Sequence, residues 1–109
     1  MIAYLGLGSN LGSDKTQNIR QAIRLINEQA GRVLACSSFI ESTPWGFCSD
    51  NMFLNAVIAI DTPHSPHKLL DITQSIERGM GRTHKTIDQD YTDRIIDIDI
   101  LLYGNSCIN

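Results

Sequence analysis

With 109 residues, 42% hydrophobic and 19% charged, the chain is long enough for one domain with a single modest core and too short for two. A net charge of −3 and a pI near 5.4 give no general basic field for a nucleic-acid backbone, so any polyanionic ligand has to be met by local groups. Cys36, Cys48 and Cys107 are odd in number and lack paired ligand spacing, which indicates neither a disulfide framework nor a zinc site and suggests a reducing compartment.

Residues 2 to 7 read as a first strand. The N-terminal run has no basic leader and is interrupted by Gly6 and Gly8, so a cytoplasmic protein without a membrane span is expected. Gly8-Ser9-Asn10-Leu11-Gly12 then breaks the strand. It lacks the Gly-Lys-Ser/Thr ending of a P-loop and the full dinucleotide fingerprint, which favours a structural turn over a phosphate cradle. Ser13 and Asp14 are candidate caps for an amphipathic helix with Ile19, Ala22, Ile23, Ile26 and Ala30 on its apolar face, closed by Gly31. Lys15, Arg20, Arg24 and Glu28 belong to its solvent side.

Residues 32 to 42 suit a second strand, Ser-rich enough for an exposed or edge position. The loop Thr43-Pro44-Trp45-Gly46-Phe47 carries two large aromatics, which either cover the core edge or meet a ligand. A third strand spans 52 to 61, with Leu54, Ala56, Ile58 and Ile60 on one face and Phe53, Asn55 and Val57 on the other. An aromatic beside an amide can hold a flat, hydrogen-bonding heterocycle; equally, Phe53 could pack under a loop while Asn55 satisfies backbone groups. Ser65-Pro66 opens a second helix through Leu69, Leu70, Thr73, Ile76, Glu77 and Met80, with Gly79 and Gly81 marking its end. His64 and His67 have surface or capping roles, and Gln74 and Glu77 are neighbours on one helical face. Residues 82 to 93 show little periodicity and read as a mobile loop.

The final segment, Arg94 to Asn105, is the most informative. Its Ile-rich run has the composition of a buried strand, in which Ile96, Ile98 and Ile100 face the core and Asp97 and Asp99 share the opposite face about 6–7 Å apart. Such a pair is placed to hold a hard cation that shares its shell with substrate phosphates; the alternative is a pair of solvated acids on a half-exposed sheet. Arg78, Arg82, His84, Lys85 and Arg94 gather just ahead, either as a phosphate-meeting cluster or as a solvated loop. The order strand, helix, strand, strand, helix, strand predicts an α+β, ferredoxin-like βαββαβ domain spanning 1–109. Two right-handed crossovers place both helices on one face of an antiparallel sheet, leaving the other face to Asp97, Asp99, Phe53 and Asn55.

Gly8-Ser9-Asn10, Thr43-Pro44-Trp45-Gly46, Phe53-Leu54-Asn55, Gln74-Ser75-Ile76-Glu77, Gly81-Arg82 and Asp97-Ile98-Asp99-Ile100-Leu101 together resemble the 6-hydroxymethyl-7,8-dihydropterin pyrophosphokinases of folate biosynthesis. The resemblance covers essentially the whole chain. It implies transfer of pyrophosphate from MgATP to the pterin hydroxymethyl oxygen, with release of AMP. Asp97 and Asp99 would bind two Mg²⁺, and Arg82 and Arg94 would hold phosphate oxygens. Gln74, Glu77, His84, Tyr91 and the backbone at Ile100 would serve the nucleotide. Phe53, Asn55 and the stretch Thr43, Pro44, Trp45, Gly46 would serve the pterin.

His84 replaces a loop Arg common in the family, and Tyr91 stands where Trp is common. Metal activation of the hydroxyl, rather than a side-chain base, is implied. The family continues for roughly another third of a domain, supplying a second stacking aromatic and further ATP contacts. The chain therefore reads as a C-terminally truncated member, monomeric unless the uncovered sheet face promotes dimerisation. Two alternatives remain: an inactive truncated pyrophosphokinase, and a non-catalytic ferredoxin-like ligand-binding module, for which the acidic pI argues against RNA. An ordinary kinase making ADP has the same sequence chemistry and is set aside by the resemblance alone.

Overall fold

The computed structural model describes residues 1–10, 14–42, 53–81, 95–104 and 106–107. The elements run β1 (Ile2–Ser9), α1 (Lys15–Gln29), β2 (Arg32–Cys36), β3 (Ile40–Ser42), β4 (Phe53–Asp61), α2 (Pro66–Gly81), β5 (Asp97–Tyr103) and β6 (Ser106–Cys107). The sheet order is β2-β4-β1-β5-β6, with β3 also pairing β4, and every described pairing is antiparallel. Taking β2 and β3 together, this is the expected ferredoxin-like arrangement, with β1 and β4 in the middle of the sheet.

The core forms where period-2 strands meet period-3.6 helices. Ala3, Leu5 and Leu7 of β1, Ala56, Ile58 and Ile60 of β4, and Ile98 and Ile100 of β5 are buried against Ile19, Ala22 and Ile26 of α1 and Leu69 and Ile76 of α2. Asp14 caps α1 by accepting from the Gln17 N–H at 3.1 Å, and Ser65 Oγ accepts from the Lys68 N–H at 3.3 Å at the start of α2. Arg20, Arg24 and Glu28 are exposed, while Lys15 is half-buried.

The end of α1 is pinned to the end of β4. Thr62, buried, donates its hydroxyl to the Ala30 carbonyl at 2.6 Å. At Gly31 the two chain segments touch: a Cβ there would stand 2.6 Å from the Asp61 carbonyl oxygen and 2.9 Å from Thr62 Cα. Both obstacles are backbone, so Gly31→Ala should destabilise the fold by about 1–3 kcal/mol. A urea-denaturation midpoint equal to that of the parent chain would contradict this.

Two boundaries differ from the sequence expectation. The strand expected over 32 to 42 is broken after Cys36, because Ser37 interrupts it: its N–H donates to the Val57 carbonyl and its hydroxyl accepts from the Val57 N–H, both at 2.9 Å. A side chain thus replaces one backbone rung. β1 continues through Gly8 to Ser9 rather than stopping at residue 7. Helix α2 ends at Gly81, as expected. The short β6 pairs only with Leu102 and Tyr103, so the outer edge of β5 from Asp97 to Leu101 has no strand partner among the described residues.

Candidate active site

The face of the sheet away from the helices is built around two glycines. On β1, Gly6 and Gly8 alternate with the buried Leu5 and Leu7, so both lie on the open face and contribute no side chain to it. In register, Gly8 is flanked by Asn55 on β4 and Asp97 on β5, and Gly6 by Val57 and Asp99. With neighbouring strands about 4.8 Å apart, the Asn55 and Asp97 backbones stand about 10 Å apart, and the Leu101 side chain borders the floor at Gly6. The result is a recess of about 220 Å³ with Phe53 and Asn55 along one wall and Asp97 and Asp99 along the other.

The Asn55 amide is oriented by its backbone contacts. Its nitrogen donates to the carbonyls of Ile40, at 3.2 Å, and Phe53, at 3.5 Å, while Oδ1 is turned toward Gly8, 3.3 Å from where a Cβ there would lie. An acceptor oxygen therefore looks over the floor, a complement to a ligand that presents N–H groups. The Phe53 ring edge borders the same position at 3.5 Å. The Asn55 nitrogen thus satisfies backbone carbonyls, as the alternative reading has it, while both residues also line the recess.

Asp97 is half-buried and Asp99 exposed, both on the open face, with Ile96, Ile98 and Ile100 buried behind them. Among the described residues no three His, Cys, Asp or Glu side chains converge as a metal-binding group. A closed all-protein cage is thus not formed by them, whereas Mg²⁺ takes one or two carboxylates and completes its shell with water and substrate phosphates. The donor set fits that ion.

A second recess, of about 580 Å³, lies at the outer side of β5 between α2 and the strand, lined by Pro66, His67, Leu70 and residues Ile98 to Leu101. Ile100 lines it, although it is largely buried in the core. Glu77 is half-buried and accepts the Ile98 N–H at 2.6 Å, while Gln74 is exposed and lines neither recess. His64 uses its backbone, its N–H donating to Thr62 Oγ1 and its carbonyl accepting from the Tyr103 hydroxyl.

Of the residues singled out in the sequence, the structure thus brings Phe53, Asn55, Asp97 and Asp99 to one recess and Ile100 to the other. Thr43, Pro44, Trp45, Gly46, Arg82, His84, Tyr91 and Arg94 lie outside the described residues. Sequence reasoning missed Gly6 and Gly8 as the floor of the site; the signal was two glycines spaced i, i+2 between bulky leucines. It also missed His67 and Leu70 as lining residues, for which no local signal exists.

Residues 4–108 match the family model of 7,8-dihydro-6-hydroxymethylpterin-pyrophosphokinase. The chain belongs to this family. It is 49% identical over 103 residues to the 2-amino-4-hydroxy-6-hydroxymethyldihydropteridine pyrophosphokinase of Porphyromonas gingivalis, an alignment covering 94% of this chain and 69% of the relative. The Bacillus subtilis protein of the same name is 39% identical over 108 residues, covering 98% of this chain and 62% of the relative. The chain therefore spans between three-fifths and seven-tenths of the length of these relatives. The fold agrees with a solved HPPK-DHPS chain in complex with substrates, at a TM-score of 0.76 and 17% identity, covering 98% of this chain and 28% of that one. As a pyrophosphokinase-family member, the chain has no described helix long and apolar enough to cross a membrane.

Proposed function

We propose that this chain transfers the β,γ-pyrophosphoryl group of MgATP to the hydroxymethyl oxygen of 6-hydroxymethyl-7,8-dihydropterin and releases AMP. The observation that carries this reading is the recess itself: Phe53 and Asn55 on one side face Asp97 and Asp99 on the other across Gly6 and Gly8. Family membership supplies the reaction class.

In this reading the pterin ring lies along Phe53, and Asn55 Oδ1 accepts from its polar edge, which fixes the direction of the hydroxymethyl group. Asp97 and Asp99 hold Mg²⁺, two ions by resemblance to the family, which when bound neutralise charge on the ATP phosphates. The hydroxymethyl oxygen forms a bond to the β-phosphorus as the bond from that phosphorus to the AMP oxygen breaks, and the hydroxyl proton passes to water. The adenine occupies the recess between Leu70 and Leu101, where the β5 backbone at Ile100 can read its edge. Arg82, which directly follows α2, and Arg94, which directly precedes Ile95, are assigned to the phosphates, and His84 and Tyr91 to the nucleotide. Thr43 to Gly46 are assigned to the pterin. The domain acts as a monomer in solution.

The test is AMP release by the purified 109-residue chain with MgATP, with and without the pterin, using the Asp97→Ala, Asp99→Ala double variant as blank. Pterin-dependent AMP that is absent from the blank is the expected result. A folded chain giving the same AMP signal as its blank would overturn the assignment of this activity to this chain.

A further inference from the structure

Glu77 stands on α2, yet its interaction is with the strand that carries the two aspartates. Its Oε2 accepts the Ile98 N–H at 2.6 Å, a short, charge-assisted bond to the peptide unit between Asp97 and Asp99. The geometry of β5 explains why such a bond is needed. Ile98 lies opposite Leu7 and Ile100 opposite Leu5, and an N–H that points to Glu77 points away from β1. β6 reaches only Leu102 and Tyr103, so no described strand secures this part of the outer edge. The ladder beside it is already irregular, because the register against β1 slips by one residue between Ile100 and Leu102.

A carboxylate at this position runs against two electrostatic tendencies. It sits near the C-terminal end of α2, where the helix dipole disfavours negative charge, and it adds a third anion to a strand that already bears two. It does not join them as a ligand, since no three-residue metal-binding group forms among the described residues. Its bond to the Ile98 N–H holds the β5 backbone.

We propose that Glu77 is a positioning residue for the metal-binding pair: by fixing the peptide between Asp97 and Asp99 from the outer edge of β5, it sets the spacing and direction of both carboxylates. The inference rests on the reading of Asp97 and Asp99 as the magnesium site. It assigns Glu77 a role distinct from contact with the nucleotide, and partners of metal-ligand elements of this kind typically change metal affinity by about 10–100-fold when removed.

The test uses Mn²⁺ alone as a paramagnetic probe, without nucleotide, on the isotopically labelled full chain. Amide signals of Asp97 to Asp99 are followed as Mn²⁺ is added, together with the Ile98 amide shift and the melting temperature. Three variants separate reach from charge: Glu77→Ala removes the acceptor, Glu77→Asp keeps the charge but withdraws the oxygen, and Glu77→Gln keeps an oxygen in reach without the charge. The expected result is a Mn²⁺ midpoint raised about tenfold in Glu77→Ala and Glu77→Asp, with the Ile98 amide displaced in both. Glu77→Gln should restore most of both readouts. Should Glu77→Ala fail to fold, the contrast between Asp and Gln carries the same decision.

A lower melting temperature with an unchanged midpoint would reduce Glu77 to a structural contact and overturn the proposal. So would a Gln variant as impaired as the Asp variant, or no broadening at Asp97 to Asp99 in the parent chain. AMP release by the parent chain, measured separately, tests the transfer reaction, so failure of one reading is distinguishable from failure of the other.

Discussion

Asp97→Ala or Asp99→Ala should lower pterin-dependent AMP formation by about 10³-fold while leaving the fold intact. The two carboxylates are the described groups on the open face suited to hold Mg²⁺, and metal stabilisation of phosphoryl charge is worth several kcal/mol, each 1.36 kcal/mol being about tenfold in rate. Both variants should remain folded, because the apolar anchoring of β5 comes from Ile96, Ile98 and Ile100. Turnover and urea-denaturation midpoints measured on the same preparations check both halves. A variant that keeps most of its turnover at saturating magnesium would remove the metal from this strand face. Asp→Asn at either position tests charge with shape retained, and should behave like Ala in rate.

Gly8→Val should weaken pterin binding about 100-fold without unfolding the chain. A methyl at Gly8 would already stand 3.3 Å from Asn55 Oδ1 and 3.5 Å from Phe53 Cδ1, and the two further carbons of Val would rise from the floor between the walls. Because Gly8 is buried and the Asn55 amide must give way, stability should fall by about 1–3 kcal/mol, with the fold retained. Loss of ring stacking together with the Asn55 contact is worth about 3 kcal/mol, or about 100-fold in affinity. Fluorescence titration with the pterin reads this directly. Affinity within a factor of about two of the parent would mean that the heterocycle lies elsewhere.

The acidic strand was legible because two signals coincide in it: Ile at every second position demands a buried face, and strand geometry then forces Asp97 and Asp99 together on the other. Phe53 and Asn55 followed by the same rule from Leu54, Ala56 and Ile58. The break between β2 and β3 was not legible, since it depends on the Ser37 hydroxyl replacing a rung of the ladder, a choice made by Val57 twenty residues away. Glycine misled at one position. Gly8 suggests a turn when read locally, although it lies within β1, whereas Gly79 and Gly81 correctly marked the end of α2. Glu77 shows the same limit: its spacing from Gln74 indicates only a shared helical face, while its bond to Ile98 arises from the packing of α2 on β5. The resemblance to the family supplied what periodicity cannot, namely roles for residues 43 to 46 and 82 to 94.

The most direct measurement of the central claim is a phosphorus-31 spectrum of one reaction mixture containing the chain, MgATP and 6-hydroxymethyl-7,8-dihydropterin. The account predicts equimolar AMP and a pterin diphosphate ester whose two phosphorus signals are mutually coupled, both absent when Asp97 and Asp99 are replaced. A pterin monophosphate accompanied by ADP would contradict it.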